Sequence, residues 1–322
     1  MSDHLPHGRS PQGHLPQGHS PHDHVLHGHL PHTEVIDPRY LHLDAWPTHT
    51  AVTALWEAQM AAVAAVRPAL QAISAAAEAA ASRLRRTGRL IYCGAGTSGR
   101  LGVLDASELP PTFDWPPERL HFLLAGGAAA LTRAVENAED RTDHAMDDVL
   151  AAKITDCDVV IVLAASGATP YALECAAQAR ARWALTIGIA NSPGAKLLGV
   201  CDHAILVETG GEPIAGSTRL KAGTAQKVVL NLLSTQIMVL LGRVWQGQMV
   251  DMVARNEKLR RRALRMVMGL TGAGEDDARD ALAQAGGKTK LAILLLSGLD
   301  ADEAGARLAA SGGQLGQVLA RR

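Results

Sequence analysis

Hydrophobic residues in the middle of the chain fall into short, unbroken runs, each followed by a turn that contains glycine or serine. The runs lie at residues 90–93, 121–124, 159–163, 185–189 and 204–207. Runs of four or five apolar residues between turns are typical of strands that are covered on both faces. Most of them lead into a helical pattern, and this alternation predicts an α/β fold: a doubly wound, mainly parallel sheet in a three-layer α/β/α arrangement.

Helical periodicity occupies both flanks of this region. From 51 to 86 the chain is rich in alanine, and Pro68 marks a kink or a boundary between two helices. A longer helical pattern runs from 217 to 243, and its apolar stripe is expected to pack on the sheet or on a partner subunit. Beyond Asn256, short amphipathic segments alternate with glycines, which predicts a small helical C-terminal domain.

The first 32 residues differ from the rest. They hold nine of the fourteen histidines and almost no large apolar side chains, so they are expected to form a disordered tail. Irregular histidine spacing favours incidental metal binding over a metal site, and we assign the tail no catalytic role. The predicted division is therefore a tail at 1–32, a helical segment at 33–87 packing on the central domain, an α/β domain at 88–250 and a helical domain at 251–322.

The charge balance limits the classes of binding partner. The charges of the 31 basic and 32 acidic residues nearly cancel, so neither nucleic acid nor a membrane surface is expected as a partner. A small-molecule ligand is expected instead. Charged residues and Pro68 interrupt the alanine-rich stretch too often for a membrane span. The four cysteines lack the paired spacing of a zinc site, so no metal is expected, and they are interpreted as reduced thiols of a cytoplasmic protein.

The first apolar run leads directly into the sequence GAGTSGR at residues 94–100. Its glycines let the backbone approach an anionic ligand, and their spacing also fits a dinucleotide-binding loop. A nicotinamide enzyme would carry an acidic residue at the end of the second strand, but here that strand runs into 125–127, Ala-Gly-Gly. The missing acidic residue and the hydroxyls of Thr97 and Ser98 favour a phosphate monoester over a dinucleotide, so no cofactor is expected. We expect Gly96, Thr97 and Ser98 to hold the phosphate.

A second loop of this kind follows the run at 159–163 and reads AASGATP before a helix that starts near Tyr171. Helix capping alone would explain one such loop. Two loops at the carboxyl ends of parallel strands converge where open α/β sheets bind ligands. We therefore expect Ser166, Gly167 and Thr169 to share a sugar phosphate with the first loop.

Residues 94–113, GAGTSGRLGVLDASELPPTF, closely resemble the signature of N-acetylmuramic acid 6-phosphate etherases, members of the sugar isomerase (SIS) superfamily. Further blocks resemble that family in the same order, at 125–127, 134–140, 216–227, 249–251 and 256–259. The resemblance implies a SIS-type sugar-phosphate-binding domain at 88–250. It also implies a carbon–oxygen lyase that cleaves the D-lactyl ether of its substrate to N-acetylglucosamine 6-phosphate and D-lactate in cell-wall amino-sugar recycling. A homodimer with sites near the interface is expected.

The same resemblance places the family's two catalytic glutamates on Glu108 and Glu139. The elimination needs a base for the C2 proton and an acid for the ether oxygen, each typically worth roughly 10²–10⁴-fold. We assign the proton donor to Glu108 and the C2 base to Glu139. Residue reasoning alone would leave Glu108 as a solvated surface residue and would not separate Glu139 from Glu136, which shares its helix face.

Four further residues complete the expectations. Ser217 and Lys221, at the start of the long helix, are expected to contact substrate, with a solvated helix-face lysine as the alternative. Asp105, three residues before Glu108, is interpreted as structural. Most family members carry Arg where this chain has Ala168, which removes a ligand-facing cation. A phosphosugar sensor and an aldose–ketose isomerase remain alternatives, although both glutamates favour an etherase.

Overall fold

A computed structural model of the chain describes residues 32–85, 87–252 and 257–320. The tail predicted at 1–32 lies outside the described residues except for His32, so its disorder stays a prediction. The first described segment is a series of short 3-10 turns at His32–Glu34, Pro38–Tyr40 and Leu43–Ala45.

Within the described residues, five parallel strands form one sheet in the order β2-β1-β3-β4-β5. They are β1 Leu90–Gly94, β2 Leu120–Leu124, β3 Val159–Leu163, β4 Leu185–Ala190 and β5 His203–Leu206. Each coincides within one residue at either end with one of the five predicted apolar runs. The prediction of a parallel sheet is confirmed.

Helices cover both faces of this sheet. They are α1 Thr48–Ala64, α2 Leu70–Leu84, α3 Gly96–Ser107, α4 Leu109–Phe113, α5 Thr142–Ala151, α6 Pro170–Ala181, α7 Lys196–Val200 and α8 Lys221–Leu240. The C-terminal helices are α9 Glu257–Thr271, α10 Glu275–Gln284, α11 Thr289–Leu296, α12 Ala301–Ala310 and α13 Leu315–Ala320. Successive strand residues point to opposite faces, so Tyr92 packs in the layer of α2 and α8 while Cys93 packs in the layer of α5 and α6. The three-layer arrangement is confirmed.

Pro68 marks a boundary between two helices, which was one of the two predicted alternatives; the other was a kink. It lies in a 3-10 turn at Arg67–Ala69, between the end of α1 and the start of α2. By length and composition alone, Thr48–Leu84 would suffice to cross a membrane. However, α2 places Ile73 and Leu84 in the core of the sheet domain, which is how a core helix behaves.

The long helix α8 begins four residues later and ends three residues earlier than the pattern at 217–243 predicted. Gly216 has a φ of +75°, and residues 217–220 form a turn in which the Leu220 amide donates to the Ser217 carbonyl. Gly242, at a φ of +77°, follows the other end. The turn at 217–220 brings the residues before α8 to the edge of the sheet where the strands end.

The helices after α8 enclose an apolar cluster of their own, with Val267, Ile293 and Leu315 buried. Lys290 donates to the Asp251 carboxylate at 2.7 Å, which joins these helices to the segment that follows α8. The helical C-terminal region is therefore as predicted. The exact domain limits at 87/88 and 250/251 stay predictions.

A buried ion pair joins the starts of β1 and β3. Asp158 is almost fully buried, and its carboxylate accepts hydrogen bonds from the Arg89 guanidinium at 2.7 Å and 3.1 Å and from the backbone amides of Arg89 and Thr155, each at 2.9 Å. Burial alone raises the pKa of Asp158, but the Arg89 guanidinium and the two amides outweigh it and hold that pKa below its usual range. The pair lies at the edge of the sheet opposite the loops at 94–100 and 164–170.

We expect Asp158→Ala to lower the free energy of unfolding by about 3 kcal/mol at pH 7, the lower end for breaking a buried pair. The lower end applies because the Arg89 side chain keeps 25% of its surface in water. A carboxylate with a lowered pKa stabilises the fold above its unfolded pKa and loses that effect as the pH falls, so the difference from wild type should shrink below about pH 4. Urea titrations at several pH values measure this, and a difference that grows on acidification contradicts it.

Candidate active site

Two loops at the carboxyl edge of the sheet meet over a cavity of about 360 Å³. One follows β1 and enters α3 at Gly96, and the other follows β3 and enters α6 at Pro170. Because β1 and β3 are neighbours, with Gly94 paired to Leu163, the two loops start side by side. The predicted site residues that line the cavity are Gly96, Thr97, Ser98, Glu139, Ser166 and Thr169.

Close packing between β1 and α3 fixes the first loop. A Cβ atom on Gly99 would lie 2.4 Å from a methyl of Leu124 and 2.7 Å from the carbonyl oxygen of Gly94. Real Cβ atoms do not approach so closely, so this position accepts only glycine without a shift of the backbone. The loop therefore keeps Thr97 and Ser98 at the first turn of α3, where helix amides have no partner within the helix.

The second loop is shaped by its own hydrogen bonds. The Ser166 hydroxyl accepts from the Ala168 amide at 3.2 Å, and Thr169 precedes α6 without a side-chain capping bond. Gly167 has a φ of +66°, and a Cβ atom there would lie 2.2 Å from the Cβ of Ala195. Gly167 thus allows the loop to pass Ala195, and the structure does not place it on the cavity wall.

Two helix N-termini face the cavity. The helices α3 and α6, 12 residues each, direct their N-terminal amides and the positive end of their dipoles toward it. Among the described residues that line the cavity, none is a lysine or arginine. An anionic group there would be bound by amides and hydroxyls.

Glu139 reaches the cavity from the segment between β2 and β3. It lies in a 3-10 turn, Ala138–Asp140, that packs against α6. Glu136, the competing candidate, is exposed and is not among the residues of the cavity wall. The structure therefore separates two glutamates that the residue pattern alone left equivalent.

Glu108 occupies a different place. It is exposed at the junction of α3 and α4, after the last residue of a 12-residue helix whose first turn lines the cavity. Such a helix is about 18 Å long. Within one subunit the structure does not bring Glu108 to the cavity, and its catalytic assignment stays a prediction.

Lys221 is buried, and its ammonium group donates to the carbonyl oxygen of Gly211 at 2.9 Å. Burial lowers the pKa of this lysine, and Glu212, which accepts from the backbone amides of Lys221 and Ala222, counteracts the effect. The side chain holds the segment before α8 and is not among the residues of the cavity wall, so its contact with substrate stays a prediction. Ser217 lies between two lining residues but is not itself on the cavity wall.

Asp105 lies buried between α3 and α8. Its carboxylate accepts hydrogen bonds from the Asn231 amide at 2.8 Å and the Tyr92 hydroxyl at 3.3 Å, and Lys227 lies 3.8 Å away. Burial raises its pKa, and these partners oppose the shift. These contacts support the structural interpretation of Asp105.

Apart from β3, the two predicted loops and Glu139, the cavity is lined by Glu34, Gly216 and Thr218, and none of these was a predicted site residue. Gly216 and Thr218 flank the predicted Ser217. Glu34 belongs to the short segment before α1, where no periodicity or turn motif distinguishes it from a solvated surface residue. Within the described residues, no group of three or more metal-ligating side chains is close enough to hold a metal ion.

Comparisons with known proteins agree with the fold described above. The family model of the SIS domain matches residues 132–236, and that of the glucokinase regulatory protein N-terminal SIS domain matches residues 71–180. A curated N-acetylmuramic acid 6-phosphate etherase of Deinococcus radiodurans is 52% identical over 283 residues, which are 88% of this chain and 93% of the relative. The chain belongs to the N-acetylmuramic acid 6-phosphate etherase family. A second etherase, from Streptomyces avermitilis, is 46% identical over 88% of this chain and 91% of its own length.

The membership confirms the family that the motif blocks indicated, and the SIS-type fold of the chain is confirmed with it. A solved phosphoheptose isomerase from Francisella tularensis is similar at a TM-score of 0.48 and 22% identity, covering 60% of this chain and 100% of that chain.

The chain also has a larger cavity, of about 690 Å³, between α9 and α10. The arginines there pair with glutamates on their own helices, Arg260 and Arg261 with Glu257 and Arg279 with Glu275. The loops that follow β1 and β3 converge with Glu139 in the smaller cavity, which is therefore the candidate active site.

Proposed function

We propose that this chain cleaves the D-lactyl ether of N-acetylmuramic acid 6-phosphate, giving N-acetylglucosamine 6-phosphate and D-lactate. Relatives that match nearly the whole chain are named N-acetylmuramic acid 6-phosphate etherase. The observation that carries the proposal is the cavity itself, in which two hydroxyl-bearing helix N-termini lie beside Glu139. Phosphoryl groups bind well at such termini.

The proposed reaction is an elimination followed by hydration. A base removes the C2 proton of the open-chain aldehyde, and the C3–O bond to lactate breaks while an acid protonates the departing oxygen. Water then adds to C3 of the unsaturated aldehyde and a proton returns to C2. Glu139 acts as the C2 base, because its carboxylate shares the cavity with the phosphate loops, and Glu108 acts as the acid.

Glu108 requires a second copy of the chain for this role, because one subunit separates it from the cavity by the length of α3. An unpartnered apolar stripe supports a homodimer: Val52, Trp56, Met60 and Val63 lie along one face of α1 and are 43–61% exposed. Leu104, one turn before Glu108 on α3, is also exposed. The dimer thus supplies Glu108 to the cavity of the partner.

The cytoplasm is the proposed location. All four cysteines are free thiols, and Cys93, Cys175 and Cys201 are buried. Free thiols are typical of a reducing compartment.

Incubation of the purified chain with N-acetylmuramic acid 6-phosphate tests the function directly. We expect D-lactate and N-acetylglucosamine 6-phosphate in equal amounts. A phosphosugar sensor would release no lactate, and an aldose–ketose isomerase would form a ketose without lactate. Either result contradicts the proposal.

Ala168 offers a test of substrate binding. It is exposed on the cavity wall, where Arg would find space beside the phosphate loops. Because a charge-assisted hydrogen bond contributes about 1.5–3 kcal/mol, we expect Ala168→Arg to lower KM roughly 10- to 100-fold. Ala168→Gln, of similar reach but neutral, is the control. Equal effects of the two variants on KM would show that charge is not responsible.

A further inference from the structure

A second carboxylate lines the cavity beside Glu139. Among the described residues, Glu34 and Glu139 are the acidic side chains on its wall. Glu34 comes from the N-terminal 3-10 turn, His32–Glu34, and not from the α/β domain that supplies the loops. An exposed glutamate in such a turn is ordinarily solvated and has no role in binding. Its fixed backbone and its contact with Gly216 distinguish it.

The backbone on both sides of Glu34 is held in place. Thr33 is fully buried, and its carbonyl oxygen accepts a hydrogen bond from the Gly216 amide at 3.0 Å. On the other side, a Cβ atom on Gly211 would lie 2.9 Å from the carbonyl oxygen of Val35. Glu34 therefore projects from a backbone that is packed against the segment before α8.

The Glu34 side chain lies against Gly216. A Cβ atom on Gly216 would stand 2.7 Å from the Oε2 atom of Glu34, so the carboxylate occupies space that a side chain at 216 would claim. Gly216 also has a φ of +75°, which favours glycine. Gly216 and Thr218 line the cavity, so the carboxylate is directed along its wall.

The chemistry of the cavity determines what Glu34 binds. A carboxylate repels the phosphoryl group, so it must face the rest of the sugar. An ionised carboxylate accepts hydrogen bonds and donates none, and the sugar offers hydroxyl donors. We propose that Glu34 is a substrate-binding residue whose carboxylate accepts hydrogen bonds from hydroxyl groups of the sugar, an inference that rests on the proposed function of the same cavity.

Calorimetric titration of the full chain with two probes, N-acetylglucosamine 6-phosphate and inorganic phosphate, tests this role. We expect Glu34→Ala to weaken binding of the sugar phosphate roughly 10- to 100-fold, the range for a lost hydrogen bond to a charged group. Its affinity for inorganic phosphate should stay unchanged. Glu34→Gln, which keeps one acceptor, should fall between. Glu118→Gln removes the same charge from an exposed 3-10 turn before β2 and should bind both probes as wild type does.

A double-mutant cycle with Gly216→Ala extends the test. If the added methyl group acts by displacing the Glu34 carboxylate, it should weaken sugar-phosphate binding in the wild-type background and have little effect once Glu34 is alanine. An undiminished effect in the Glu34→Ala background would contradict the proposed contact. Unchanged Tm values for the Glu34 variants should accompany these results, since the side chain is exposed.

Two outcomes overturn the role of Glu34: sugar-phosphate binding by Glu34→Ala within about twofold of wild type, or an equal loss for both probes. Failure of the proposed function is distinct, because it would appear as wild-type chain that binds N-acetylglucosamine 6-phosphate yet releases no lactate. In that event, the loss of affinity of Glu34→Ala for the sugar phosphate relative to inorganic phosphate still decides whether Glu34 binds the sugar. Wild-type chain that binds neither probe overturns both proposals.

Discussion

Replacing Glu139 by Gln should reduce lactate release by roughly 10²–10⁴-fold, the range expected for loss of a general base. Glutamine preserves the shape of the side chain but accepts no proton. Because removal of the C2 proton begins the reaction, exchange of that proton with D₂O should fall equally. Parallel assays of lactate and of deuterium incorporation measure the two effects.

Glu136→Gln is the matched control for this prediction. Glu136 precedes Glu139 by three residues and is exposed, yet it is not on the cavity wall. We expect near wild-type kinetics from it. Lactate release by Glu139→Gln within about tenfold of wild type, or an equal loss in the control, would remove Glu139 from the mechanism.

Glu108→Gln should abolish lactate release while C2 exchange continues. The acid acts when the ether oxygen departs, after the proton has been removed, so the base in the cavity remains competent. The lost acid is typically worth roughly 10²–10⁴-fold in rate. Simultaneous loss of exchange and lactate release would contradict this division of roles.

Co-expression of Glu108→Gln and Glu139→Gln chains tests the dimer at the same time. If Glu108 acts in the partner's cavity, a mixed dimer holds one intact site, and random pairing restores about a quarter of the wild-type activity. If both glutamates act within one subunit, every site in the mixture lacks one of them. No recovery, or light scattering that shows monomers alone, would exclude the exchange of Glu108 between subunits.

The strands and the two loops that line the cavity could be predicted because their causes are local. An apolar run such as 159–163 is buried on both faces wherever it lies in a parallel sheet, and β3 is buried at every position. The loop residues Thr97 and Ser166 follow from the strand-to-helix transitions beside them. Local chemistry therefore gave the fold and most of the cavity wall.

The positions of the remaining site residues depend on tertiary contacts, which cannot be read from the order of residues in the chain. Glu108 follows Ser98 closely in the chain, yet α3 carries it to the other end of a helix. Lys221 is buried because Gly211 and Glu212 fold back onto it. Glu34 reaches the cavity through packing on Gly211 and Gly216, a contact between distant parts of the chain that no repeat or motif marks.

The strand order has a consequence for how the enzyme loses activity. Between β1 and β3 the chain travels to the outside of the sheet, forms β2 there and returns through the turn that holds Glu139. Edge strands open at a lower free energy than central ones, and β2 is the less buried neighbour of β1. Local unfolding of that edge would carry Glu139 away from the cavity while the loops after β1 and β3 stay intact. Mild denaturant should therefore inactivate the enzyme before the interior of the sheet unfolds.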